Sequence, residues 1–250
     1  MGTIEETRRI EGWRSPILGQ DMPIVSYGHW GHPLLLFPTA AADFLENERF
    51  GLVGSVAPAL AAGRVRVFSI NSINNQAWMD RGLPVAEQAR RQNLYARYVE
   101  QEVVPYIRHV CQTLDLRVAT AGASFGAFHA ANTLFRRPDL FDAVIAMSGF
   151  YDLGPDYLHG YGGDDAYFNN PAWYLPNLEG HDLHLLRTAC KIHVLTGQGD
   201  YEAPDASRRL ADMLNRKGIP HVLDMWGHDV NHDWPWWLKM LPYAVDKMGW

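Results

Sequence analysis

A serine flanked by glycines stands where an apolar strand pattern gives way to a helical one. The segment Gly122-Ala-Ser124-Phe-Gly126 directly follows a predicted strand that ends at Ala121, and a helix is predicted from Ala127. In this context GxSxG is typical of a nucleophile elbow, a strained turn that lifts the serine hydroxyl clear of the sheet. Glycines are needed because a side chain at either position would collide with the neighbouring strand and helix. Ser124 is therefore the predicted nucleophile.

A carboxylate is expected downstream of the serine. In proteins with such an elbow, the acid and then the histidine follow the serine in chain order, each beyond the carboxyl end of a strand. Asp200 follows a predicted strand at 192–195 after a glycine-rich turn. It is the predicted acid, and Glu202 and Asp205 are the alternatives. The alternatives would otherwise serve as acidic residues at the start of the next helix.

A base is also required, because a serine hydroxyl is a poor nucleophile until its proton is removed, and histidine has a suitable intrinsic pKa. Two histidines follow the last predicted strand, which ends near Trp226. His228 lies close to the strand end, whereas His232 lies far enough along the chain to reach back over the sheet. His232 is therefore the predicted base, poised between Ser124 and an orienting carboxylate.

The same histidines also have the i, i+4 spacing of a zinc pair, with Asp229 and Asp233 beside them. Zinc binding at that spacing needs a helix, which Pro235 and a loop at Gly227 disfavour. The serine mechanism is preferred, and it requires neither a metal nor a cofactor.

An oxyanion that forms during acyl transfer needs backbone N–H donors. The turn at the serine offers the N–H of Phe125, at the positive end of the following helix. A second donor is expected from the loop after the apolar strand 34–37. Pro38 has no N–H, so Thr39 and Ala40 are the two candidates.

Apolar strand patterns alternate with helical patterns through the rest of the chain. Strands are predicted at 33–37, 65–70, 116–121, 143–147, 191–196 and 220–226, and helices at 49–62, 84–109, 127–135, 205–217 and 236–248. A parallel crossover needs a return of helix length, so this order predicts a mostly parallel sheet with helices on both faces. The first thirty residues predict antiparallel edge strands. The expected fold class is α/β.

Segment 151–184 interrupts the alternation with repeated glycines and prolines. A loop this long inside a compact domain is usually functional or covers a site. We predict one domain, 1–250, in which 151–184 is a loop-rich cover over the active site.

These motifs together resemble the putative-esterase family of the α/β-hydrolases, which includes esterase D type S-formylglutathione hydrolases, feruloyl esterases and mycolyl transferases of the antigen 85 type. The resemblance begins near Gly31 and rests on Phe37-Pro-Thr, Glu102-Val-Val-Pro105, Gly122-Ala-Ser124-Phe-Gly126-Ala-Phe-His-Ala-Ala131, Arg137-Pro-Asp-Leu-Phe141, Ser148-Gly149, Tyr167-Phe-Asn-Asn-Pro171 and His232-Asp-Trp-Pro-Trp-Trp237. It implies an α/β-hydrolase fold and hydrolysis of carboxylic esters, with the family's nucleophile, acid and base falling on Ser124, Asp200 and His232. An acyltransferase with the same triad and a non-catalytic binding module on the same scaffold are the alternatives.

The amino-acid composition limits the kinds of binding partner that are expected. The 250 residues carry 22 basic and 28 acidic side chains, a net charge of −6, which disfavours nucleic acid as a ligand. Cys111 and Cys190 lie far apart outside any CxxC pattern, and no apolar run reaches the length of a membrane span. A cytoplasmic protein with a small-molecule ester substrate is expected, and homo-oligomerisation is left open.

Tryptophan is unusually frequent, with nine residues, four of them between 226 and 237. Trp234 and Trp237 follow the predicted base, and Tyr201 follows the predicted acid. We predict these three as walls of a pocket for an apolar or aromatic part of the ester, although packing is the alternative use of such rings.

Overall fold

The computed structural model describes residues 4–250, which are built around one eight-stranded sheet. The strands are β1 (Arg9–Arg14), β2 (Asp21–Tyr27), β3 (His32–Phe37), β4 (Val65–Ile70), β5 (Val118–Ala123), β6 (Phe141–Met147), β7 (Lys191–Thr196) and β8 (Val222–Met225). Their order across the sheet is β1-β2-β4-β3-β5-β6-β7-β8. β1 and β2 pair antiparallel, as do β2 and β4, whereas the remaining pairs are parallel. The predicted mostly parallel α/β sheet with antiparallel edge strands is confirmed.

Helices cover the sheet on both faces, as predicted. They are α1 (Ile4–Thr7), α2 (Glu46–Arg49), α3 (Leu52–Ser55), α4 (Ala57–Ala61), α5 (Val85–Tyr98), α6 (Val104–Val110), α7 (Phe125–Arg136), α8 (Asp164–Tyr167), α9 (Pro171–Tyr174), α10 (Gly180–Thr188), α11 (Pro204–Arg216) and α12 (Trp234–Met248). One core layer packs α5, α6, α7, α10 and α11 against the sheet, and the other packs α3, α4 and α12. Strands β3 and β5 lie between the layers and are buried on both sides, which explains their continuous apolar sequences.

Two predicted helices are divided in the structure. The helix predicted at 49–62 is three short helices, α2 to α4, with Gly51 in the left-handed conformation between the first two. The helix predicted at 84–109 contains a π-turn at Val99–Val103. Within this turn, the Glu102 carboxylate accepts hydrogen bonds from Trp13 Nε1 at 2.5 Å and Ser15 Oγ at 2.7 Å. The π-turn therefore fastens the β1–β2 hairpin to the helix.

Segment 151–184 is largely helical turns, which corrects the expectation of a loop-rich segment. Besides α8, α9 and most of α10, it contains a π-turn at Gly154–Leu158. Its Leu153 and Leu158 pack in one cluster with Phe125 and Phe128 of α7, and Tyr174 donates a buried hydrogen bond to Asn132. The segment therefore lies on the helix that follows Ser124. That it covers the active site stays a prediction.

Across residues 4–250, no helix has both the length and the apolar character needed to cross a bilayer.

Candidate active site

The turn between β5 and α7 has the geometry of a nucleophile elbow. Ser124 lies there with φ 57° and ψ −121°, a strained conformation for a residue that is not glycine, and its N–H donates to Met147 O at 2.9 Å. A Cβ on Gly122 would meet the backbone of Gly126, and a Cβ on Gly126 would lie 2.6 Å from Phe37 O. Both glycines are therefore required by close backbone contact, and Ser124 remains partly exposed.

The loops that follow β5 to β8 lie at one edge of the sheet, because these four strands run parallel. They carry, in order, Ser124, Ser148, Glu202 and His232. This topology places at one edge of the sheet residues that are up to 108 positions apart in the sequence.

The carboxylate that lies beside His232 belongs to Glu202 and not to the predicted Asp200. Glu202 Oε2 lies 3.7 Å from His232 Nδ1, and the Glu202 side chain is 0% exposed. Asp200 is exposed and takes part through its backbone: its carbonyl accepts from His232 N–H at 3.0 Å, and its N–H donates to Asn231. The third candidate, Asp205, forms an exposed ion pair with Arg208.

The backbone conformation of Tyr201 explains why the Glu202 side chain, and not that of Asp200, points toward His232. Tyr201 has φ 63° and is 94% exposed. A left-handed residue at this point reverses the chain direction after the glycine-rich turn, so the side chain at 202 turns inward while 200 and 201 stay in solvent. Glycine and asparagine are the usual residues for that conformation, so a tyrosine at this position does not indicate a left-handed turn in the sequence.

Hydrogen bonds keep the buried Glu202 ionised. Ser148 Oγ donates to Oε1 at 2.5 Å and Thr196 Oγ1 donates to Oε2 at 3.1 Å. Burial by itself raises the pKa of Glu202, but the neighbouring His232 imidazole and the hydrogen bond from Ser148 outweigh it and hold that pKa below its usual value. A charged acceptor therefore faces the imidazole.

His232 lies between this carboxylate and a tryptophan ring. Its ring meets that of Trp237 edge-on, with centroids 5.1 Å apart and planes at 88°. Its Nδ1 is buried without a hydrogen-bond partner within range, and Glu202 is the acceptor beside it. Such contacts are often long in the free enzyme and tighten when substrate binds. His228 is exposed.

In the loop after β3, the two candidate oxyanion donors, Thr39 and Ala40, differ in their hydrogen bonds. The N–H and hydroxyl of Thr39 both donate to the Glu46 carboxylate at 2.7 Å, so this N–H is already occupied. The carbonyl of Ala40 accepts from Asn74 Nδ2 at 2.5 Å and from Ser72 Oγ at 3.1 Å. These hydrogen bonds hold the backbone on both sides of the peptide that joins Thr39 to Ala40. This geometry disfavours Thr39 and leaves the N–H of Ala40.

The other candidate donor is the N–H of Phe125, the first residue of α7, where backbone N–H groups have no acceptor within the helix.

Asn74 is in turn held by a buried histidine, His129. His129 Nε2 lies 2.9 Å from Asn74 Oδ1, and Gln92 Nε2 lies 3.4 Å from His129 Nδ1. The His129 ring stacks on Phe125 with centroids 5.2 Å apart. Burial lowers the pKa of His129 to about 3, so the ring is neutral and its Nε2–H can donate to Asn74. This leaves the Asn74 amide free to hold Ala40.

The buried His129 should make stability depend on pH. In the unfolded chain this histidine has a pKa of about 6.5, whereas in the folded protein its pKa is about 3. Between these two pH values the unfolded state binds a proton that the folded state does not bind. This contribution to the free energy of unfolding is complete above about pH 6.5 and declines as pH falls toward 3, by about 3 kcal/mol at pH 4. Urea unfolding from pH 7 to 4 should therefore be distinctly less pH-dependent in His129→Gln than in wild type. The exposed His181→Gln is the control, and a His129→Gln slope equal to its slope would contradict this prediction.

The three predicted pocket residues lie in different surroundings. Trp237 is buried and donates to Ser148, Tyr201 projects into solvent, and Trp234 stacks on Phe50 with centroids 4.6 Å apart. A cavity of about 540 Å³ lies between segment 151–184 and α11. Its walls are Phe150, Tyr151, Asp152, Pro155, Asp156, Ala172, Ala203, Ala206, Arg209, Asp212, Met213 and Arg216.

This cavity adjoins the site at two points. Ala203 follows Glu202 directly, and the Phe150 ring contacts that of Phe125 with centroids 4.9 Å apart. In the described part of the chain, no three His, Cys, Asp or Glu side chains are grouped so that they could hold a metal ion.

Known proteins share this architecture. The fold matches a ferulic acid esterase with a TM-score of 0.73 and 19% identity, over 95% of each chain. It matches an S-formylglutathione hydrolase from Staphylococcus aureus with a TM-score of 0.73 and 14% identity, over 96% of this chain and 98% of that one. MPT51 of Mycobacterium tuberculosis follows with a TM-score of 0.68 and 14% identity, over 96% and 97%. At these identities the likeness establishes the α/β-hydrolase-type fold.

Sequence comparison gives the family. No curated protein matches the chain. Residues 63–248, well over half of the sequence, match the family described as "Putative esterase". The match contains the elbow, Glu202 and His232, and it confirms the family predicted from the motifs. The chain therefore belongs to the putative esterase family of serine hydrolases that act on carboxylic esters.

Proposed function

We propose that the protein is a serine carboxylesterase whose triad is Ser124, His232 and Glu202. The observation that carries the proposal is the buried, ionised Glu202 beside His232 Nδ1, at the sheet edge that also bears the strained Ser124. A carboxylate in this position fixes the imidazole tautomer, so that Nε2 is free to accept a proton, and it stabilises the imidazolium that forms.

The residues have distinct tasks in the two half-reactions. Ser124 Oγ attacks the ester carbonyl while its proton passes to His232 Nε2, and the N–H groups of Phe125 and Ala40 hold the oxyanion. The C–O bond to the alcohol then breaks, and the alcohol leaves with the proton from His232. Water, deprotonated by the same nitrogen, attacks the acyl-serine ester. Collapse of the second oxyanion releases the carboxylic acid and returns the proton to Ser124.

For the apolar part of the ester, the cavity beside α11 is the proposed binding site. Phe150, Ala203 and Met213 form an apolar part of its wall, and Phe150 links it to the elbow. Trp234, stacked on Phe50 next to the base, remains a candidate for a second wall. Esters graded in acyl length and aromaticity, tested on wild type and on Ala206→Phe, would locate the substrate.

A fluorophosphonate probe tests the proposed nucleophile. An activated serine attacks phosphorus and forms a stable covalent adduct, whereas an ordinary hydroxyl does not. We expect one label per folded chain, located on Ser124 by peptide mass spectrometry, and none in Ser124→Ala. Ser55→Ala, which changes a serine at the end of α3, should label like wild type.

The same probe separates the competing functions. Failure of the folded wild-type chain to label would contradict the proposal and favour a binding module on a hydrolase scaffold. If labelling occurs, product analysis with competing alcohols distinguishes water from an alcohol as the acyl acceptor, and predominant transfer to the alcohol would favour the acyltransferase.

A further inference from the structure

Ser148 and Trp237 form a hydrogen-bonded chain that ends on the acid. Trp237 Nε1 lies 3.0 Å from Ser148 Oγ, which lies 2.5 Å from Glu202 Oε1. Ser148 follows β6 and Trp237 lies in the first turn of α12, so the chain joins elements that are distant in sequence. Ser148 and Trp237 are only 5% and 4% exposed. Neither residue has a task in the reaction steps described above.

The chemistry of the groups fixes the direction of this chain. An indole N–H can only donate, so Trp237 occupies a lone pair of the Ser148 oxygen. The single hydroxyl hydrogen of Ser148 is then directed to Glu202, which is ionised and can only accept. Hydrogen bonds to a charged acceptor are shorter and stronger than neutral ones, which agrees with the 2.5 Å separation.

Trp237 contacts the base as well. Its ring meets the His232 imidazole at 5.1 Å between centroids, in the edge-on arrangement favoured by aromatic pairs. Trp237, Ser148, Glu202 and His232 therefore form a closed ring of contacts in which one indole touches His232 directly and reaches Glu202 through a hydroxyl.

The backbone of Ser148 shows that the position is under constraint. Its φ is 52°, in the left-handed region, and its N–H donates to Leu195 O at 2.7 Å. Glycine would adopt this conformation without strain, whereas serine does so at some cost. A strained residue that persists beside a reactive site is commonly held there for a function, and here the hydroxyl is the group that glycine lacks.

We propose that Ser148 and Trp237 are positioning residues that hold the Glu202 carboxylate in place and orient His232. The proposal rests on the proposed function, since it assigns a role within that triad. Loss of the Ser148 hydroxyl should lower kcat about 10- to 100-fold, the usual worth of one hydrogen bond to a charged group, and leave KM within about twofold.

The test compares Ser148→Ala and Ser148→Gly with wild type. Both variants remove the hydroxyl, but only the glycine variant also relieves the positive φ. Trp237→Phe keeps the ring against His232 and removes the indole N–H, and Trp236→Phe is its matched control outside the ring of contacts. Titration with the fluorophosphonate counts reactive sites, so each kcat refers to folded enzyme.

The pH profile provides a readout that packing alone would not change. Without the Ser148 hydroxyl, the pKa of Glu202 rises, and the carboxylate takes up a proton at a higher pH than in wild type. In Ser148→Ala and Ser148→Gly, kcat/KM should therefore start to fall at a higher pH on the acid side and fall more steeply. Trp237→Phe should show the same change to a smaller extent, and Trp236→Phe none.

The outcomes distinguish the two proposals. Wild-type kcat and pH profile in Ser148→Gly, with Ser124→Ala inactive, would overturn the positioning role and leave the proposed function intact. Activity in Ser124→Ala would overturn both. Equal losses in Ser148→Ala and Ser148→Gly, with the altered acid limb, would support the role of the hydroxyl.

Discussion

Replacing Glu202 by glutamine is expected to lower kcat about 10³- to 10⁴-fold with little change in KM. The amide has nearly the same shape but no charge, so it cannot stabilise the imidazolium, and it can favour the wrong tautomer of His232. The loss should appear in kcat because the interaction is strongest in the transition state. Steady-state hydrolysis of p-nitrophenyl acetate per folded chain, with folding checked by thermal unfolding, measures the effect.

Asp200→Asn is the matched control, because Asp200 is the acid that the spacing alone favours. Its carboxylate is exposed, whereas its backbone positions the loop, so the substitution should leave kcat within about twofold of wild type. The reverse pattern, with Asp200→Asn inactive and Glu202→Gln active, would restore Asp200 as the acid and contradict the assignment of Glu202.

The contrast between the predicted Asp200 and the observed Glu202 shows which parts of the site a sequence can predict. The elbow at Ser124 could be predicted because its motif is local: a strand, a glycine turn and a helix meet within ten residues. The sequence also predicts an acid in the loop after β7. Which carboxylate of that loop lies beside His232 depends on the left-handed backbone of Tyr201 and on donors from Ser148 and Thr196. Contacts between loops are set by the sheet order, which hydrophobic periodicity does not encode residue by residue.

In the fold, too, local sequence patterns could be predicted, whereas features that depend on tertiary contacts could not. Alternating apolar strands and helices predicted the parallel sheet, because burial on both faces leaves a strong pattern in β3 and β5. The short helices of 151–184 were missed because glycines and prolines interrupt every turn, and tertiary contacts to α7 stabilise them instead. The π-turn around Glu102 has no signature in the helical periodicity and is explained only by the hairpin that it binds.

Gly126→Ala separates the local preference of a helix from the demands of this site. Gly126 is the second residue of α7, where alanine is favoured over glycine by about 1 kcal/mol on helix propensity alone. In the folded protein, however, a Cβ at this position would lie 2.6 Å from Phe37 O and 2.7 Å from Pro38 O. Both are backbone atoms and cannot rotate away. The elbow and the oxyanion loop must therefore move apart, and overpacking of this kind typically costs about 1–3 kcal/mol.

The clash should outweigh the propensity, so we expect Gly126→Ala to be destabilised and poorly active. A displacement approaching 1 Å between Ser124 and the Ala40 N–H would reduce kcat about 10²-fold, since the donor must meet the oxyanion closely. Thermal unfolding and kcat per fluorophosphonate-reactive site measure the two effects. Gly162→Ala, where a Cβ has no neighbour within 4 Å, should change neither. If Gly126→Ala were instead more stable and fully active, the contact between the elbow and the β3 loop would not define the oxyanion site, and Ala40 would lose its assigned role.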